Sequence, residues 1–221
     1  RTVRSHPSNP GRLSLQDLAS YQARERTPLC FDTERPLQGA YRVCGFPPPS
    51  SGALAIGQIF GLMAWAPADP AAASWGPAWV HRYTEAARLA LADRQLYVGD
   101  PSFVVPPGGS WSRLLEPAYL AKRARLINLK GPRMPQPAAG DPTGAIKPVA
   151  YAPMPAQIEH GTSHISVVDG YGNAVAMTSS IEFAFGSQQM VRGFLLNNQL
   201  TDFSFVAEQD GKPVANRVEP G

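Results

Sequence analysis

Apolar residues recur at helical spacing in several stretches of the chain and alternate with polar ones in others. Ser14 stands three residues before Asp17, and Leu13, Leu15 and Leu18 offer an apolar side. A hydroxyl and a carboxylate at that spacing suit the N-terminus of a short helix, which ends near Tyr21. Two β-leaning pieces follow at 29–31 and 41–46, with Gly39 in the turn region between them. Pro47, Pro48 and Pro49 then stiffen the approach to a helix that Ser50 or Ser51 can cap. Leu54, Ile56, Ile59, Phe60 and Met63 make that helix apolar. Its apolar run, 53–66, is interrupted by Gly57, Gln58 and Gly61 and falls short of membrane-spanning length, so it reads as a buried helix. A longer helix is predicted over 78–96. Its stripe is Trp79, Tyr83, Ala86, Ala87, Ala90 and Leu91, with Glu85, Arg88 and Arg94 mostly on the other side. A further helix is predicted over 117–126, with Glu116 near its start.

Periodicity then disappears. Residues 131–160 hold seven prolines, three glycines and four charged residues, which predicts an extended or mobile linker. Alternation returns at Thr162. Residues 162–168 place Ile165 and Val167 on one face, Asp169, Gly170, Tyr171 and Gly172 form a turn, and 173–183 make a second strand. The two strands predict a hairpin that begins at Thr162. Another short strand, 194–196, is closed by Asn197 and Asn198, and a turn is expected at Asp210 and Gly211.

A length of 221 residues suits one good-sized domain or a large piece of one. The formal charge of +3 makes no case for nucleic acid as a partner. It is unevenly spread: residues 1–161 hold 17 basic and 11 acidic side chains, while residues 162–221 hold 3 and 6. Such halves are suited to pack on each other. Lys122, Arg123, Arg125, Lys130 and Arg133 form a basic cluster without interleaved aromatic residues, so it reads as a solvated helix face rather than a phosphate patch. Cys30 and Cys44 lack metal-ligand spacing. Either they are bonded, if their segments pair as strands, or they are two buried thiols. Both readings stand, and the compartment stays unassigned. No metal or cofactor is expected. The chain opens at Arg1 without a signal peptide, and both ends read as cuts through a longer protein.

The chemistry centres on Gly161 and Thr162. A linker that stops at a glycine, followed at once by a strand headed by a hydroxyl residue, suits a chain that cuts itself. The hydroxyl of Thr162 would attack the carbonyl of the unhindered Gly161. Water would then release a new N-terminal threonine whose α-amine is the nearest base for its own hydroxyl. His164 lies on the same strand face as Thr162, but the amine lies closer, so His164 reads as structural. Glu159 and His160 precede the cut and would leave with the upstream piece.

The run Thr162-Ser163-His164-Ile165-Ser166-Val167-Val168-Asp169, with Gly172-Asn173-Ala174-Val175-Ala176, resembles the start of the small subunit of gamma-glutamyltranspeptidases. Phe185-Gly186-Ser187, Leu195-Leu196-Asn197-Asn198-Gln199 and Asp202-Phe203-Ser204 resemble the same family in the same order. Upstream, Leu15-Gln16-Asp17-Leu18-Ala19-Ser20-Tyr21, Pro47-Pro48-Pro49-Ser50-Ser51-Gly52 and Glu85-Ala86-Ala87-Arg88-Leu89-Ala90 resemble its large subunit. So do Asp93-Arg94 and Gly99-Asp100-Pro101. Several motifs in order are specific where one would not be. The resemblance implies an α+β chain, a fragment of the four-layer αββα sandwich of N-terminal-nucleophile hydrolases. Residues 1–130 would be the C-terminal part of the large-subunit-like region, 131–161 the linker before the processing site, and 162–221 the start of the small-subunit-like region. Processing would leave two subunits from one precursor.

The resemblance also implies roles. Thr162 is the nucleophile, Ser180 the hydroxyl that bonds it, and Gln199 with Asp202 the holders of a substrate α-amino group. A carboxylate pairs with an ammonium and an amide orients it. Glu182 departs from the asparagine that familiar members carry for substrate contact. The expected activity is gamma-glutamyl transfer or hydrolysis of a small-molecule substrate. A glutaryl or cephalosporin-type acylase and a non-catalytic homologue are the alternatives. The family's glycine-pair oxyanion hole falls beyond Gly221, and its carboxylate-binding arginine before Arg1. The resemblance therefore implies that this piece alone has little or no activity, since losing one oxyanion donor costs about a hundred- to a thousand-fold.

Overall fold

The structure is a computed structural model that describes residues 1–35, 39–67, 75–144, 150–158 and 161–219. The elements run in the order α1 (Leu15–Ser20), β1 (Leu29–Arg35), β2 (Gly39–Gly45), α2 (Gly52–Trp65), α3 (Pro77–Tyr97), α4 (Pro117–Ala124), β3 (Ser163–Val168), β4 (Ala174–Ser179), β5 (Met190–Val191), β6 (Phe194–Leu195), β7 (Glu208–Gln209) and β8 (Lys212–Pro213). Among the described residues the strands pair only as four antiparallel hairpins: β1–β2, β3–β4, β5–β6 and β7–β8. The chain divides into two compact units. One holds Arg1–Arg24 with Ala156–Phe205, and the other holds Glu25–Pro155 with Val206–Gly221.

In the second unit α2 packs against α3 and α4. Leu54 and Leu62 of α2, Leu89 of α3, Leu114 and Leu120 form the dry centre of the contact. Sequence spacing mis-phases α3. Glu85 and Asp93 lie on its buried face, while Tyr83 and Leu91 are exposed. The reason is that both carboxylates find donors inside. Asp93 accepts from the Gln58 amide at 2.7 Å, the Tyr119 hydroxyl at 2.6 Å, Arg123 at 3.2 Å and the Gly140 N–H at 2.8 Å. Burial pushes its carboxyl above the ordinary carboxylate range, and Arg123 foremost among these partners pulls it back. Arg123 is therefore buried, not part of a solvated basic face: its charge is matched by Asp93 and its guanidinium also reaches the Ala138 carbonyl at 3.0 Å.

The same side chains organise the stretch after α4, whose described residues up to 158 form no helix or strand. Irregular backbone held near a core needs partners for its amides and carbonyls. Glu85 accepts from the Met134 N–H at 3.1 Å, and Arg88 donates to the Met134 carbonyl at 2.9 Å. The Tyr97 hydroxyl, pushed up to about 12 by burial and so a donor at ordinary pH, reaches the Gly140 carbonyl at 2.6 Å. A Cβ on Gly140 would lie 2.4 Å from the Tyr119 hydroxyl, so only glycine permits this approach. Further on, the Ala152 N–H donates to Pro213 and the Met154 N–H to Gln95. Ala152, Met154 and Val214 form a small second core.

Three local expectations change. Ser51 stands at the N-cap of α2 but makes no side-chain cap; its hydroxyl instead accepts from the Arg94 guanidinium at 3.1 Å. Cys30 and Cys44 face each other across β1–β2 and form a disulfide, so the reading as two buried thiols is set aside. Both lie at exposed positions, because a two-stranded ribbon has no covered face there. The strand after the Asp169 turn stops at Ser179 rather than reaching Phe183, because Glu182 adopts a positive φ. The Ser14–Asp17 capping box forms as expected. Among the described residues no helix is long and apolar enough to cross a membrane.

Asp93→Ala would leave a buried guanidinium without its counter-charge and strand three further donors. The expected cost is about 3–5 kcal/mol of unfolding free energy in urea titration. Asp32→Ala, which breaks only the exposed pair with Arg42, is expected to leave the midpoint essentially unchanged.

Candidate active site

The first unit builds its site on the β3–β4 hairpin. The hairpin turn is fixed by Asp169, whose side chain accepts from the N–H groups of Tyr171 and Asn173, both at 2.9 Å, and from the Asn173 amide at 2.7 Å. The Asn173 contacts hold the Asp169 carboxyl below the usual carboxylate range. At the other, open end the ladder closes with Ser163 opposite Ser179. Thr162 and Ser180 are the next residues out, and the Thr162 hydroxyl donates to Ser180 Oγ at 3.0 Å. Register alone brings these two hydroxyls together. His164, one pleat inward, bonds the hydroxyls of Thr178 at 2.8 Å and Ser166 at 3.1 Å, so both ring nitrogens are occupied within the hairpin.

Beyond Ser180 the chain turns sharply. Ser180 Oγ also accepts from the Glu182 N–H at 3.0 Å, and Glu182 is buried with φ at +71°. A non-glycine residue rarely holds that conformation, and it persists where neighbours over-determine it. Here Asn198 is the neighbour. Its side-chain oxygen accepts from the Phe183 N–H at 3.0 Å, and its own N–H donates to the Ile181 carbonyl. Gly186, at φ +51°, lets the loop close on the chain before Asn198, since a Cβ there would fall 2.1 Å from the Leu196 carbonyl oxygen. Gly161, Ser163, Ser180, Glu182 and Phe183 line an open cleft of about 460 Å3. That volume lies within the range of small-molecule sites.

Gln199 and Asp202 begin and end a single 3-10 turn, which starts directly after Asn198. The Gln199 amide donates to Asp202 at 3.1 Å. The carboxamide oxygen of Gln199 is buried and meets no donor among the described residues. A carboxylate beside an unmatched acceptor is suited to a ligand that donates several protons, as an ammonium does. The structure therefore joins Gly161, Ser180 and Glu182 around one cleft, with Thr162 bonded to Ser180 at its edge. It places Gln199 and Asp202 as a second pair, linked to Glu182 through Asn198 rather than lining the cleft. Glu159 and His160 lie outside the described residues. Among the described residues no group of three metal-ligating side chains converges. Sequence reasoning missed Asn198 as a clip, although it stands inside the Leu-Leu-Asn-Asn-Gln motif; its signal was a side chain able to bond irregular backbone.

A hydroxyl pair at the head of a hairpin, directly after a glycine and beside an acidic cleft, fits the class of N-terminal-nucleophile hydrolases. Comparison with solved structures agrees. The crystal structure of Helicobacter pylori gamma-glutamyltranspeptidase matches with a TM-score of 0.52 at 31% identity, covering 63% of this chain and 37% of that one. A cephalosporin acylase from Bacillus halodurans shares the fold over 94% of this chain and 34% of its own, with a TM-score of 0.63 at 24% identity. The α+β chain is thus a fragment of that fold. The gamma-glutamyltranspeptidase family model matches residues 2–221, and the chain belongs to this family. The glutathione hydrolase proenzyme of Pseudomonas aeruginosa is 36% identical over 219 residues, 96% of this chain and 35% of the relative. The chain spans about a third of the length of the curated relatives it matches.

Asn198→Ala removes the acceptor of the Phe183 N–H. Loss of one such bond, worth about 1 kcal/mol, is expected to speed hydrogen exchange of the Phe183 amide by roughly fivefold, with the β3–β4 amides unchanged. Asn198→Asp, which keeps the acceptor, is expected to exchange near the wild-type rate.

Proposed function

We propose that this chain carries the nucleophile of a gamma-glutamyl transferase or hydrolase, Thr162, made reactive by cleavage of the Gly161–Thr162 bond. The observation that carries the reading is the Thr162–Ser180 hydroxyl pair at the open end of the hairpin, directly after a glycine that lines the cleft. In the first step the Thr162 oxygen bonds to the Gly161 carbonyl carbon. The C–N bond breaks, the hydroxyl proton passes to the departing nitrogen, and an ester remains. Water then adds to the ester carbonyl, leaving a carboxylate on Gly161 and a free threonine amine. That amine takes the hydroxyl proton when Thr162 attacks the substrate acyl carbon. The substrate amine departs with a proton. Attack by water then completes hydrolysis, and attack by another amine completes transfer.

Gln199 and Asp202 supply acceptors for the α-ammonium of a gamma-glutamyl group, with the unmatched Gln199 oxygen as the supporting feature. The family membership and the name of the Pseudomonas aeruginosa relative support the same chemistry. The composition of the two units supports a lasting pair of products. Each unit combines residues from before and after Gly161, so residues 1–161 and 162–221 stay together once cut. A second reading, a glutaryl or cephalosporin-type acylase, is raised by the departure at Glu182, a buried carboxylate beside the hydroxyl pair where the resemblance implies an asparagine. A buried carboxylate favours an ammonium and disfavours a second carboxylate, which tips the choice back to the gamma-glutamyl substrate.

In the natural full-length protein, intact mass is expected to show two pieces meeting at Gly161–Thr162. Thr162→Ala is expected to stay whole and inactive; activity in that variant would refute the reading. A gamma-glutamyl anilide is expected to be cleaved faster than a glutaryl anilide, with Glu182→Gln narrowing the ratio by about tenfold, the size of one lost charge interaction. Preference of the wild type for the glutaryl compound would favour the acylase. A full-length protein that is neither cut nor active would be a non-catalytic homologue.

A further inference from the structure

Gln157 is a half-buried carboxamide four residues before Gly161, outside the groups that bond Thr162 or line the cleft. Three of its four hydrogen-bonding positions are spent on one short run of backbone. Its nitrogen donates to the Thr201 carbonyl at 2.9 Å and to the Phe203 carbonyl at 3.1 Å, while its oxygen accepts from the Phe205 N–H at 3.4 Å. The two carbonyls it holds flank Asp202. The same turn is fixed from its other end by Asn198, whose carbonyl accepts from the Thr201 N–H and hydroxyl.

A carboxamide is the side chain suited to this task, because it can donate twice and also accept in one plane. A carboxylate would set an acceptor against two carbonyl oxygens. A hydrocarbon would leave three backbone groups without a partner. The contact pins the chain at Gln157, four residues before Gly161, to the turn that carries Gln199 and Asp202. The downstream side is pinned by the β3–β4 ladder. A bond with an anchor four residues upstream and a ladder directly downstream samples fewer conformations than one on a loose linker, and attack on a neighbouring carbonyl gains from that restriction.

We propose that Gln157 is a positioning residue for chain cleavage: it registers the segment before Gly161 on the Thr201–Phe205 backbone and so holds the Gly161 carbonyl for attack by the Thr162 hydroxyl. The inference rests on the reading that the Gly161–Thr162 bond is cut. It is tested in the full-length protein by following conversion of the uncut chain by intact mass across pH, with thermal unfolding measured alongside. Gln157→Ala is expected to slow conversion by about tenfold or more at every pH, since small misplacements cost up to about a hundredfold. Its melting temperature is expected to move by no more than about 4 °C, the size of one lost contact. Gln157→Glu is expected to be as slow at neutral pH. Its rate relative to wild type should recover below about pH 5, where the protonated acid again donates. Variants that are cut at the wild-type rate, or a Gln157→Glu ratio that stays flat with pH, would overturn the role of Gln157 while leaving Thr162 untouched. A wild type that is never cut would overturn both.

Discussion

The carboxylate of Asp93 is the point on which the larger unit turns. It is drawn from α3, and it gathers a donor from α2, two from α4 and one from a stretch with no regular structure. Three of those donors are buried and the fourth, at Gly140, is half-buried. The helices could pack through leucines alone, but the residues around Gly140 could not lie against them without acceptors and donors for their backbone. A buried charge is costly in itself, so its return here is specificity of arrangement more than raw stability.

The smaller unit solves the same problem with neutral groups. Between Ser180 and Phe205 only β5 and β6, two residues each, form strands. Ser180, Asn198 and Gln157 take the place of a ladder, each satisfying backbone groups of a neighbouring turn. The residues proposed to act on substrate sit within these side-chain-stapled turns. Glu182 keeps its unusual backbone because Ser180 and Asn198 hold both sides of it. Thr162 meets Ser180 because the ladder places one residue beyond each strand end side by side. Chemistry and local folding therefore share the same few side chains.

Much of this was legible from the residues. The hairpin, its turn at Asp169 and the capped first helix follow from alternation and turn chemistry, both short-range rules, whereas the hydroxyl pair is expected only from the resemblance to the family. The phase of α3 was not legible, because Glu85 reads as solvent-facing until its partner from a distant segment is known. Arg123 failed for the same reason: a basic residue on a short helix is solvated by default, and only the buried Asp93 reverses that. Gln157 gave no signal, since a lone glutamine in a proline-rich stretch has no pattern around it. Long-range polar pairing is what periodicity cannot see.

The most direct test of the central claim is to find where the substrate acyl group rests. The full-length protein would be mixed with a gamma-glutamyl anilide, quenched in acid during turnover, and mapped by peptide mass. A gamma-glutamyl ester is expected on the peptide that begins with Thr162, on the threonine oxygen. An acyl group on Ser163 or Ser180, or turnover with no acylated peptide at all in a burst experiment, would contradict it.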